Sequence, residues 1–319
     1  MLFIHNANQL ITVRGFSDSP AKKEQMQELH IIEDGSLLVA DGKIVAVGKD
    51  AELRKQYPEQ IEKAEKINAK NKIVTPGLVD PHTHLVYAGS RENEYAMRLK
   101  GKSYMEIMNA GGGIHATTRA TQQASFEQIY AETKRRLDTF LKQGVTTVEI
   151  KSGYGLTLEH EMKQLQVTKQ LNDDHPIDIV PTFMGAHAVP VEYKDNPDRF
   201  VDIVVEEMIP AVAESGLAEF NDVFCEKDVF TPEQSRVILE AGKRYGLQPK
   251  IHADEIEPYG GAELAAEVRA ISADHLLKAS DTGIKKMADA NVIGVLLPGT
   301  AFFLMAEYAP ARKMIDSGL

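Results

Sequence analysis

Two histidines stand close together in the stretch Pro76-Gly77-Leu78-Val79-Asp80-Pro81-His82-Thr83-His84. Residues 73–79 form an apolar run that predicts a strand, and two histidines follow at its end. Side chains at positions i and i+2 of a strand lie on the same face, so we expect His82 and His84 to point the same way and Thr83 to point away. Two imidazoles on one face can bind one divalent metal ion, whereas the alternative is two unrelated histidines in a loop. The flanking strand and the Pro-Gly punctuation favour the metal site.

Composition limits the classes of protein and partner. The chain has 319 residues, 43% of them hydrophobic, so it can bury a large core in one barrel-type domain or in two smaller ones. Its net charge of −11 disfavours nucleic acid or an anionic membrane as the main partner, although a local cationic pocket for an acidic substrate is compatible with it. Cys225 is the only cysteine, which excludes an internal disulfide and fits a reducing cytoplasm. We see no signal peptide and no stretch near the roughly 20 apolar residues of a membrane span, so we predict a cytoplasmic protein without a membrane partner.

Two kinds of pattern divide the chain. Residues 1–75 show short strands and turns, and Asp41-Gly42 between the apolar runs 36–40 and 43–47 is a strong hairpin signal. Residues 76–319 show apolar strands that alternate with amphipathic helices, which is typical of βα units in a parallel sheet. We therefore predict a small β-sandwich domain over the first segment and a β/α barrel over the second.

Six more strands follow the one that leads to His82. They are predicted at residues 146–150, 177–183, 219–224, 248–252, 270–274 and 292–297. A barrel needs eight strands to close, and these make seven. Residues 298–315 predict one more helix, and Asp316-Ser317-Gly318-Leu319 predicts a turn toward an eighth strand that is missing from this chain. The predicted fold class is α/β, a TIM-like (β/α)8 barrel without its last strand, and the alternative is an open seven-stranded sheet.

Several local signals mark helix starts and loops. Ser125-Phe126-Glu127-Gln128 resembles a capping box. Thr231-Pro232-Glu233 combines an N-cap, a proline at the first helical position and an acid in the first turn. Gly111-Gly112-Gly113 predicts a flexible loop. The two caps place helices between strands, as βα units require.

Polar residues end several of the predicted strands, at the edge of a barrel where its chemistry lies. His252 is a candidate third metal ligand, and the alternative is a buried histidine bonded to the backbone. Glu255 is placed to take a proton from a water that zinc brings to a pKa of about 7, unless it is a solvated loop acid. His275 is a candidate to orient that water or shuttle a proton and His187 to contact substrate, with structural hydrogen bonds as the alternative for both. We predict that Lys151 is structural or salt-bridged rather than a carboxylated metal bridge.

These residues carry a resemblance. The stretch 76–84, with His252 and His275 at later strand ends, resembles the metal-dependent amidohydrolase superfamily. Further motifs narrow the resemblance to the imidazolonepropionase family, and the similarity extends from the N-terminal strands to Leu319. They are Arg91-Glu92-Asn93-Glu94, Gly101-Lys102-Ser103-Tyr104, Gly111-Gly112-Gly113-Ile114, Glu149-Ile150-Lys151-Ser152-Gly153-Tyr154-Gly155-Leu156 and His252-Ala253-Asp254-Glu255. The fold that this implies is a barrel of the amidohydrolase type.

The resemblance implies an activity, a cofactor and an assembly. The activity is the third step of histidine degradation, in which a metal-activated water hydrolyses 4-imidazolone-5-propionate to N-formimidoyl-L-glutamate. The cofactor is one divalent metal ion, zinc or iron. The partner is that small-molecule substrate, and the family is typically a cytoplasmic homodimer.

The resemblance also implies roles for particular residues. Carried over by motif, the metal ligands are His82, His84 and His252. Glu255 is the base or the group that holds the substrate ring, and His275 assists it. The other substrate-binding residues are Arg91, Tyr104, Tyr154 and His187. A guanidinium suits the propionate carboxylate because its fork matches two oxygens.

One departure from the family pattern bears on these roles. The family has an aspartate metal ligand at the end of its eighth strand and completes its small β domain with C-terminal strands, and both lie beyond Leu319. We therefore expect a truncated or incompletely recorded sequence. Two further alternatives are another cyclic amidase or nucleobase-type deaminase of the superfamily, and an inactive fragment that lacks the aspartate.

Overall fold

The structure is a computed structural model that describes residues 1–15, 20–102, 106–107 and 111–319. The chain separates into two compact units, Met1–Gly77 and Leu78–Leu319. In the part of the chain that is described, no helix has the length and apolar character needed to cross a membrane.

The first unit contains a five-stranded mixed sheet. Its strands are β1 (Leu2–Ile11), β2 (Ile31–Ala40), β3 (Lys43–Lys49), β4 (Glu65–Asn68) and β5 (Ile73–Val74). The order is β3-β2-β1-β4, and β5 also pairs with β1. The predicted hairpin is confirmed: Ala40 pairs with Lys43, and Asp41 and Gly42 both have positive φ, as a two-residue turn of the primed type requires.

Two short helices in this unit were not predicted from the sequence. They are α1 (Asp50–Gln56) and α2 (Pro58–Lys63). Each buries one large apolar side chain, Leu53 and Ile61, in a cluster with Phe3 and Leu38. Helices of six or seven residues show too little periodicity to stand out, so packing against the sheet decides them.

The second unit contains a seven-stranded parallel sheet. Its strands are β6 (Leu78–Asp80), β7 (Val145–Lys151), β8 (Asp178–Ala186), β9 (Phe220–Cys225), β10 (Gln248–Ala253), β11 (Ser272–His275) and β12 (Ile293–Val295). Their order in the sheet is their order in the chain, and every neighbouring pair is parallel. This is the strand order of a β/α barrel, and it confirms the six predicted strands after His84.

The sheet is curled rather than open and flat. Lys151 lies at the end of β7 and Asp274 lies on β11, and their Nζ and Oδ2 atoms are 3.2 Å apart. Neighbouring strands are spaced by about 4.8 Å, so four spacings would separate these strands by about 19 Å in a flat sheet, beyond the reach of both side chains. The seven strands therefore curl as in a barrel, which favours the predicted barrel over the alternative of an open, flat sheet.

The prediction of one strand over residues 73–79 is also wrong. The run is split into β5, which pairs with β1, and β6, which pairs with β7. Thr75-Pro76-Gly77 separates them, because proline has no N–H for a ladder and glycine weakens a strand. His82 and His84 consequently lie just past the end of β6 rather than on it.

Helices follow the strands along the second unit. They are α3 (Glu92–Leu99), α4 (Gly113–Gln123), α5 (Phe126–Lys142), α6 (Leu158–Asp174), α7 (Pro197–Ile203), α8 (Ile209–Ser215), α9 (Pro232–Arg244), α10 (Gly261–Glu267), α11 (Asp281–Ala290), α12 (Pro298–Leu304) and α13 (Ala311–Ser317). Both predicted caps are confirmed. The Ser125 side chain accepts from the Gln128 N–H, and Thr231 and Gln234 form a reciprocal capping box.

Two predicted segments differ from the structure. Residues 298–315 form two helices, because Met305 adopts a left-handed conformation that ends α12 and α13 begins only after Pro310. Gly113, predicted as loop, is the first residue of α4. Its N–H donates to the buried carboxylate of Glu94 at 2.7 Å, a tertiary contact that sequence does not show.

Apolar side chains from strands and helices form the main core of this unit. Phe183, Val223 and Ile251 of the sheet belong to one buried cluster with Ile238 and Leu239 of α9. Burial of such side chains supplies most of the stabilising free energy of a domain. The charged and histidine side chains at the strand ends are therefore held on a rigid frame.

Candidate metal centre and active site

Three histidines converge, two from just past the end of β6 and one from near the end of β10. One ring nitrogen from each of His82, His84 and His252 lies within 4.8 Å of the others. The Nε2 atoms of His84 and His252 are 3.2 Å apart. The structure thus brings together the trio that the sequence indicated.

Backbone pairing fixes the direction of the first two histidines. The Lys151 N–H donates to the Thr83 carbonyl at 2.9 Å, and the Thr83 hydroxyl donates to the Glu149 carbonyl at 2.5 Å. Residues 82–84 therefore continue alongside β7 although β6 has ended. Thr83 is buried against β7, and the alternation places the rings of His82 and His84 together on the other side.

Two buried carboxylates orient two of the rings. His82 Nδ1 lies 2.6 Å from Asp274 Oδ2, and His252 Nδ1 lies 3.1 Å from Asp222 Oδ1. In neutral imidazole, a carboxylate acceptor on one nitrogen places the hydrogen there and leaves a lone pair on the other. The Nε2 atoms of His82 and His252 are consequently free to bind a cation.

The three rings are neutral near pH 7. Burial, with the nearby Lys151 charge, lowers the pKa of His82 to about 4. Burial and the neighbouring histidines lower the pKa of both His84 and His252 well below the ordinary value. Metals bind neutral imidazole, so a set of three uncharged ring nitrogens within 4.8 Å fits a divalent ion.

A buried ionic cluster lies beneath the histidines. Lys151 Nζ is 2.9 Å from Glu149 Oε1, 2.7 Å from Asp222 Oδ2 and 3.2 Å from Asp274 Oδ2. Lys250 Nζ is 3.1 Å from the same Glu149 oxygen. All five side chains are buried. The prediction that Lys151 is salt-bridged is confirmed.

The charges in this cluster shift each other's pKa values. Burial lowers the pKa of Lys151, but the carboxylates of Asp222, Asp274 and Glu149 outweigh burial and raise it above the ordinary value. Burial raises the pKa of Asp274, but Lys151 and His82 outweigh burial and hold it well below the ordinary value. Lys151 and Asp274 are therefore both charged at neutral pH.

Sequence reasoning did not select Asp222, Asp274 or Glu149 as parts of the site. The available signal was a charged residue inside each of the apolar strands 219–224, 270–274 and 146–150. A carboxylate is rarely buried without a partner, so such a residue marks the inward face of a barrel. Its partner, however, is visible only in three dimensions.

Glu255 and His275 lie close to the trio. Glu255 Oε1 is 3.4 Å from His275 Nδ1, and the His275 ring centroid is 5.0 Å from that of His82 and 5.1 Å from that of His252. His275 Nδ1 is buried and makes no hydrogen bond with the described residues. His275 also has φ 76°, in the left-handed region of backbone conformation.

Two carboxylates to which the sequence analysis assigned no role hold the loop that carries Glu255. Asp254 accepts the N–H groups of Tyr259 at 2.8 Å and Ala262 at 2.8 Å, at the start of α10. Glu226, from the end of β9, accepts the Ile256 N–H at 2.9 Å. The loop is thus fixed on both sides of Glu255.

Beside His84 lies a cavity of about 320 Å³. Its lining residues are His84, Tyr87, Ser90, Arg91, Glu92, Tyr95, Thr117, Tyr154 and Phe303. Arg91 and Tyr154 were predicted to bind substrate, whereas Tyr87 and the stacked pair Tyr95–Phe303, with ring centroids 5.5 Å apart, were not. Tyr104, another predicted substrate contact, lies outside the described residues.

The Tyr154 loop is fixed by a fully buried acid on α6. Glu161 accepts the N–H groups of Gly153 at 3.0 Å, Gly155 at 2.8 Å and Leu156 at 2.8 Å. Gln164 accepts the N–H of Tyr154 itself at 3.2 Å. These contacts hold the Tyr154 ring 5.7 Å from the ring of His84.

His187 stacks on His84 rather than lining the cavity. Its ring lies 4.6 Å from that of His84 at an interplanar angle of 13°, and its Nδ1 lies 2.9 Å from the Gly153 carbonyl oxygen. Burial lowers the pKa of His187 to about 4, so the ring is neutral near pH 7. It therefore makes the structural hydrogen bond that was the alternative for it, and its contact with substrate stays a prediction.

Comparison with solved structures identifies the class of fold. The chain superposes on Escherichia coli guanine deaminase with a TM-score of 0.68 at 14% identity, over 99% of this chain and 72% of that one. It superposes on atrazine chlorohydrolase TrzN from Arthrobacter aurescens TC1, complexed with zinc, with a TM-score of 0.59 at 17% identity, over 99% and 70%. The fold is that of the amidohydrolase superfamily, as predicted.

Comparison with curated sequences identifies the family. The chain is 71% identical to the imidazolonepropionase of Geobacillus sp. (strain WCH70) over 317 residues, which are 99% of this chain and 75% of that protein. It is 67% identical to the imidazolonepropionase of Brevibacillus brevis over 318 residues, with coverage of 100% and 75%. A family model described as an imidazolonepropionase-like composite domain of bacteria matches residues 37–59. The chain belongs to the imidazolonepropionase family, a family of hydrolases, and the prediction from the motifs is confirmed.

Proposed function

We propose that this chain binds one divalent metal ion, zinc or iron, through His82, His84 and His252, and hydrolyses 4-imidazolone-5-propionate to N-formimidoyl-L-glutamate. The observation that carries the proposal is the convergence of three neutral imidazole nitrogens beside a cavity of about 320 Å³, in a chain 71% identical to a curated imidazolonepropionase. A divalent ion at such a site supplies an activated water and Lewis acidity. The reaction belongs to histidine degradation.

The residues around the trio support this assignment of ligands. Asp274 and Asp222 accept from Nδ1 of His82 and His252, which leaves Nε2 of both rings for the metal. The Nε2 atom of His84 lies 3.2 Å from that of His252, so it faces the same point. Two uncharged acceptor nitrogens at this distance are stabilised by a cation between them.

Glu255 and His275 are assigned to proton transfer. Water adds to a ring carbon, the ring carbon–nitrogen bond breaks, and the departing nitrogen takes up a proton. Glu255 accepts a proton from the water through a carboxylate oxygen and returns one to that nitrogen. His275, 3.4 Å from Glu255, assists by holding the carboxylate or the water.

The cavity supports recognition of a small anionic ring compound. Its volume lies at the lower end of the range of small-molecule sites, which begins at about 300 Å³. Arg91 is the cationic group in its lining and can bind a propionate carboxylate with two parallel hydrogen bonds. We assign contact with the substrate ring to Tyr154, which lines the cavity, and to His187, which stacks on His84. Tyr104 is proposed as a further substrate contact.

The proposal is tested by turnover of the purified chain loaded with one equivalent of zinc or of iron(II). We expect conversion of 4-imidazolone-5-propionate to N-formimidoyl-L-glutamate, followed by mass spectrometry, and none with the metal-free chain. A panel of purines, pyrimidines and other cyclic amides serves as the specificity control. Turnover of a purine or pyrimidine with an inert imidazolone would contradict the substrate, and a folded, metal-loaded chain that converts nothing would contradict the activity.

Three further points are proposals that rest on sequence. They are the division into a small β domain over 1–75 and a barrel over 76–319, a homodimeric assembly, and a cytoplasmic location. Sedimentation of the purified chain at several concentrations tests the second. A monomer at all concentrations would contradict it.

A further inference from the structure

We infer that Lys151 is a positioning residue of the metal centre: its ammonium group holds Asp222 and Asp274, and these in turn fix the rings of His252 and His82. The inference rests on the proposed function in one respect, which is that the histidines bind a metal ion. Lys151 makes no direct hydrogen bond to any of the three rings. We therefore infer that it raises metal affinity through the two carboxylates.

The first observation is that one ammonium reaches the partners of two histidines. Lys151 Nζ lies 2.7 Å from Asp222 Oδ2, and the other oxygen of Asp222 accepts from His252. Lys151 Nζ also lies 3.2 Å from Asp274 Oδ2, the same oxygen that accepts from His82 at 2.6 Å. Two of the three ring orientations are therefore connected through a single side chain.

The second observation is that the ammonium fixes the plane of the Asp222 carboxylate. Asp222 Oδ1 accepts from His252 and Oδ2 accepts from Lys151, whereas Asp274 also accepts the Ser272 hydroxyl on Oδ1, with His82 and Lys151 on Oδ2. A carboxylate bonded to a single donor can turn about its Cβ–Cγ bond, whereas bonds to both oxygens fix its plane. The histidine that donates to it is then fixed as well.

The third observation is the balance of buried charge. Glu149, Asp222 and Asp274 are three buried carboxylates, and Lys151 and Lys250 are the two buried ammonium groups that pair with them. Without Lys151, only Lys250 would remain, and it contacts Glu149 alone among the three. Like charges at this depth repel strongly, so Asp222 and Asp274 would turn apart and no longer hold the rings of His252 and His82.

The same geometry argues against a second metal ion. Asp222, His252 and Asp274 also bring three possible ligand atoms within 4.8 Å of one another. The Lys151 ammonium lies against both of these carboxylates and supplies the positive charge there. We assign this second trio to support of the histidines.

The test compares two substitutions of buried lysines. Lys151→Met removes the ammonium that reaches Asp222 and Asp274, and Lys250→Met removes one that reaches only Glu149. We expect Lys151→Met to weaken zinc binding by about 10- to 100-fold, the usual effect of losing an outer-sphere partner, and to change the visible spectrum of the cobalt(II)-substituted chain. We expect Lys250→Met to weaken zinc binding clearly less and to leave the cobalt spectrum unchanged. Zinc affinity is measured by competition with a chelating dye.

Equal losses in the two variants, or no loss in Lys151→Met, would overturn the inference while leaving the proposed function intact. If Lys151→Met does not fold, Lys151→Gln is used, because it removes the charge but keeps a hydrogen-bond donor. Thermal unfolding of the metal-free variants shows whether any loss reflects general stability.

A second readout does not require metal binding. Nitrogen-15 spectra of the histidine-labelled, metal-free chain report which ring nitrogen carries the hydrogen. We expect His82 and His252 to carry it on Nδ1 in the unsubstituted chain and to lose this preference in Lys151→Gln. Identical tautomers in both chains would overturn the inference, whether or not the unsubstituted chain binds zinc. A failure of the unsubstituted chain to bind zinc would contradict the proposed function separately.

Discussion

Nδ1 of His82 lies 2.6 Å from Oδ2 of Asp274, although 192 positions separate the two residues in the chain. The contact joins the segment after β6 to β11, which are not neighbours in the sheet. It sets the tautomer of His82 and directs its Nε2 toward His84 and His252. The contact therefore defines how one proposed ligand faces the metal.

Asp274→Asn tests this contact through metal affinity. Asparagine keeps the shape of the side chain but loses the charge that favours Nδ1–H on His82, so we expect zinc binding to weaken by about 10- to 100-fold. Competition with a chelating dye measures the change. Asp289→Asn, at an exposed position on α11, is the control and should bind zinc as the unsubstituted chain does.

Arg91→Ala tests the carboxylate clamp. Loss of a charge-assisted, two-oxygen contact costs about 1.5–3 kcal/mol, so we expect KM for the imidazolone propionate to rise by about 10- to 150-fold with a smaller change in kcat. Steady-state kinetics provide the measurement. Arg91→Lys restores the charge but not the forked geometry of the guanidinium, so its KM should lie between those of the unsubstituted chain and Arg91→Ala. An unchanged kcat/KM in Arg91→Ala would show that the clamp is assigned to the wrong residue.

Glu255→Gln tests proton transfer. The amide cannot accept the proton of the attacking water, so we expect kcat to fall by about 10²- to 10⁴-fold with little change in KM. Glu257→Gln is a matched control, because Glu257 lies two residues further along the same loop and is exposed. Equal losses in the two variants would assign the effect to the loop and not to the Glu255 carboxylate.

Glu161→Gln tests the support of the Tyr154 loop. The carboxylate accepts three backbone N–H groups in a fully buried place, whereas the glutamine amide nitrogen cannot accept from them. We expect the free energy of unfolding to fall by about 1–3 kcal/mol, as measured by urea denaturation. Glu159→Gln, at an exposed position in the first turn of the same helix, should leave stability unchanged.

The metal-free chain should lose stability as the pH falls from about 6.5 toward 4. Burial lowers the pKa of His82 and of His187 to about 4 in the folded chain, while the unfolded chain binds these protons near pH 6.5. The unfolded state therefore holds more protons in this window, and the free energy of unfolding rises with pH. Urea denaturation at pH 7 and pH 5 measures the difference.

His187→Gln provides the control for this pH dependence. The variant removes one of the buried titrating groups, so the difference in stability between pH 7 and pH 5 should become smaller. His30→Gln, at an exposed position in the first unit, should keep the full difference. A stability that does not change between these pH values would contradict the burial argument.

Local sequence determined much of this protein. Apolar runs predicted six strands of the parallel sheet, and Asp41-Gly42 predicted a hairpin. The alternation of side-chain direction at Thr83 predicted that His82 and His84 point the same way. Each of these depends on residues within a few positions of one another, where spacing alone fixes the face of a strand or the type of a turn. Sequence motifs also sufficed to identify the family.

Which charged groups meet depends on the folding of distant segments against one another. Lys151 reaches across 71 positions to Asp222, and no local pattern relates the two residues. Their contact follows from the curl of the sheet, which brings the inward faces of distant strands together in a place without water. There each charge must find a partner, and the partner is set by the packing of the whole barrel unit. For the same reason, contacts of Glu94, Glu161 and Asp254 with backbone N–H groups were visible only in the folded chain.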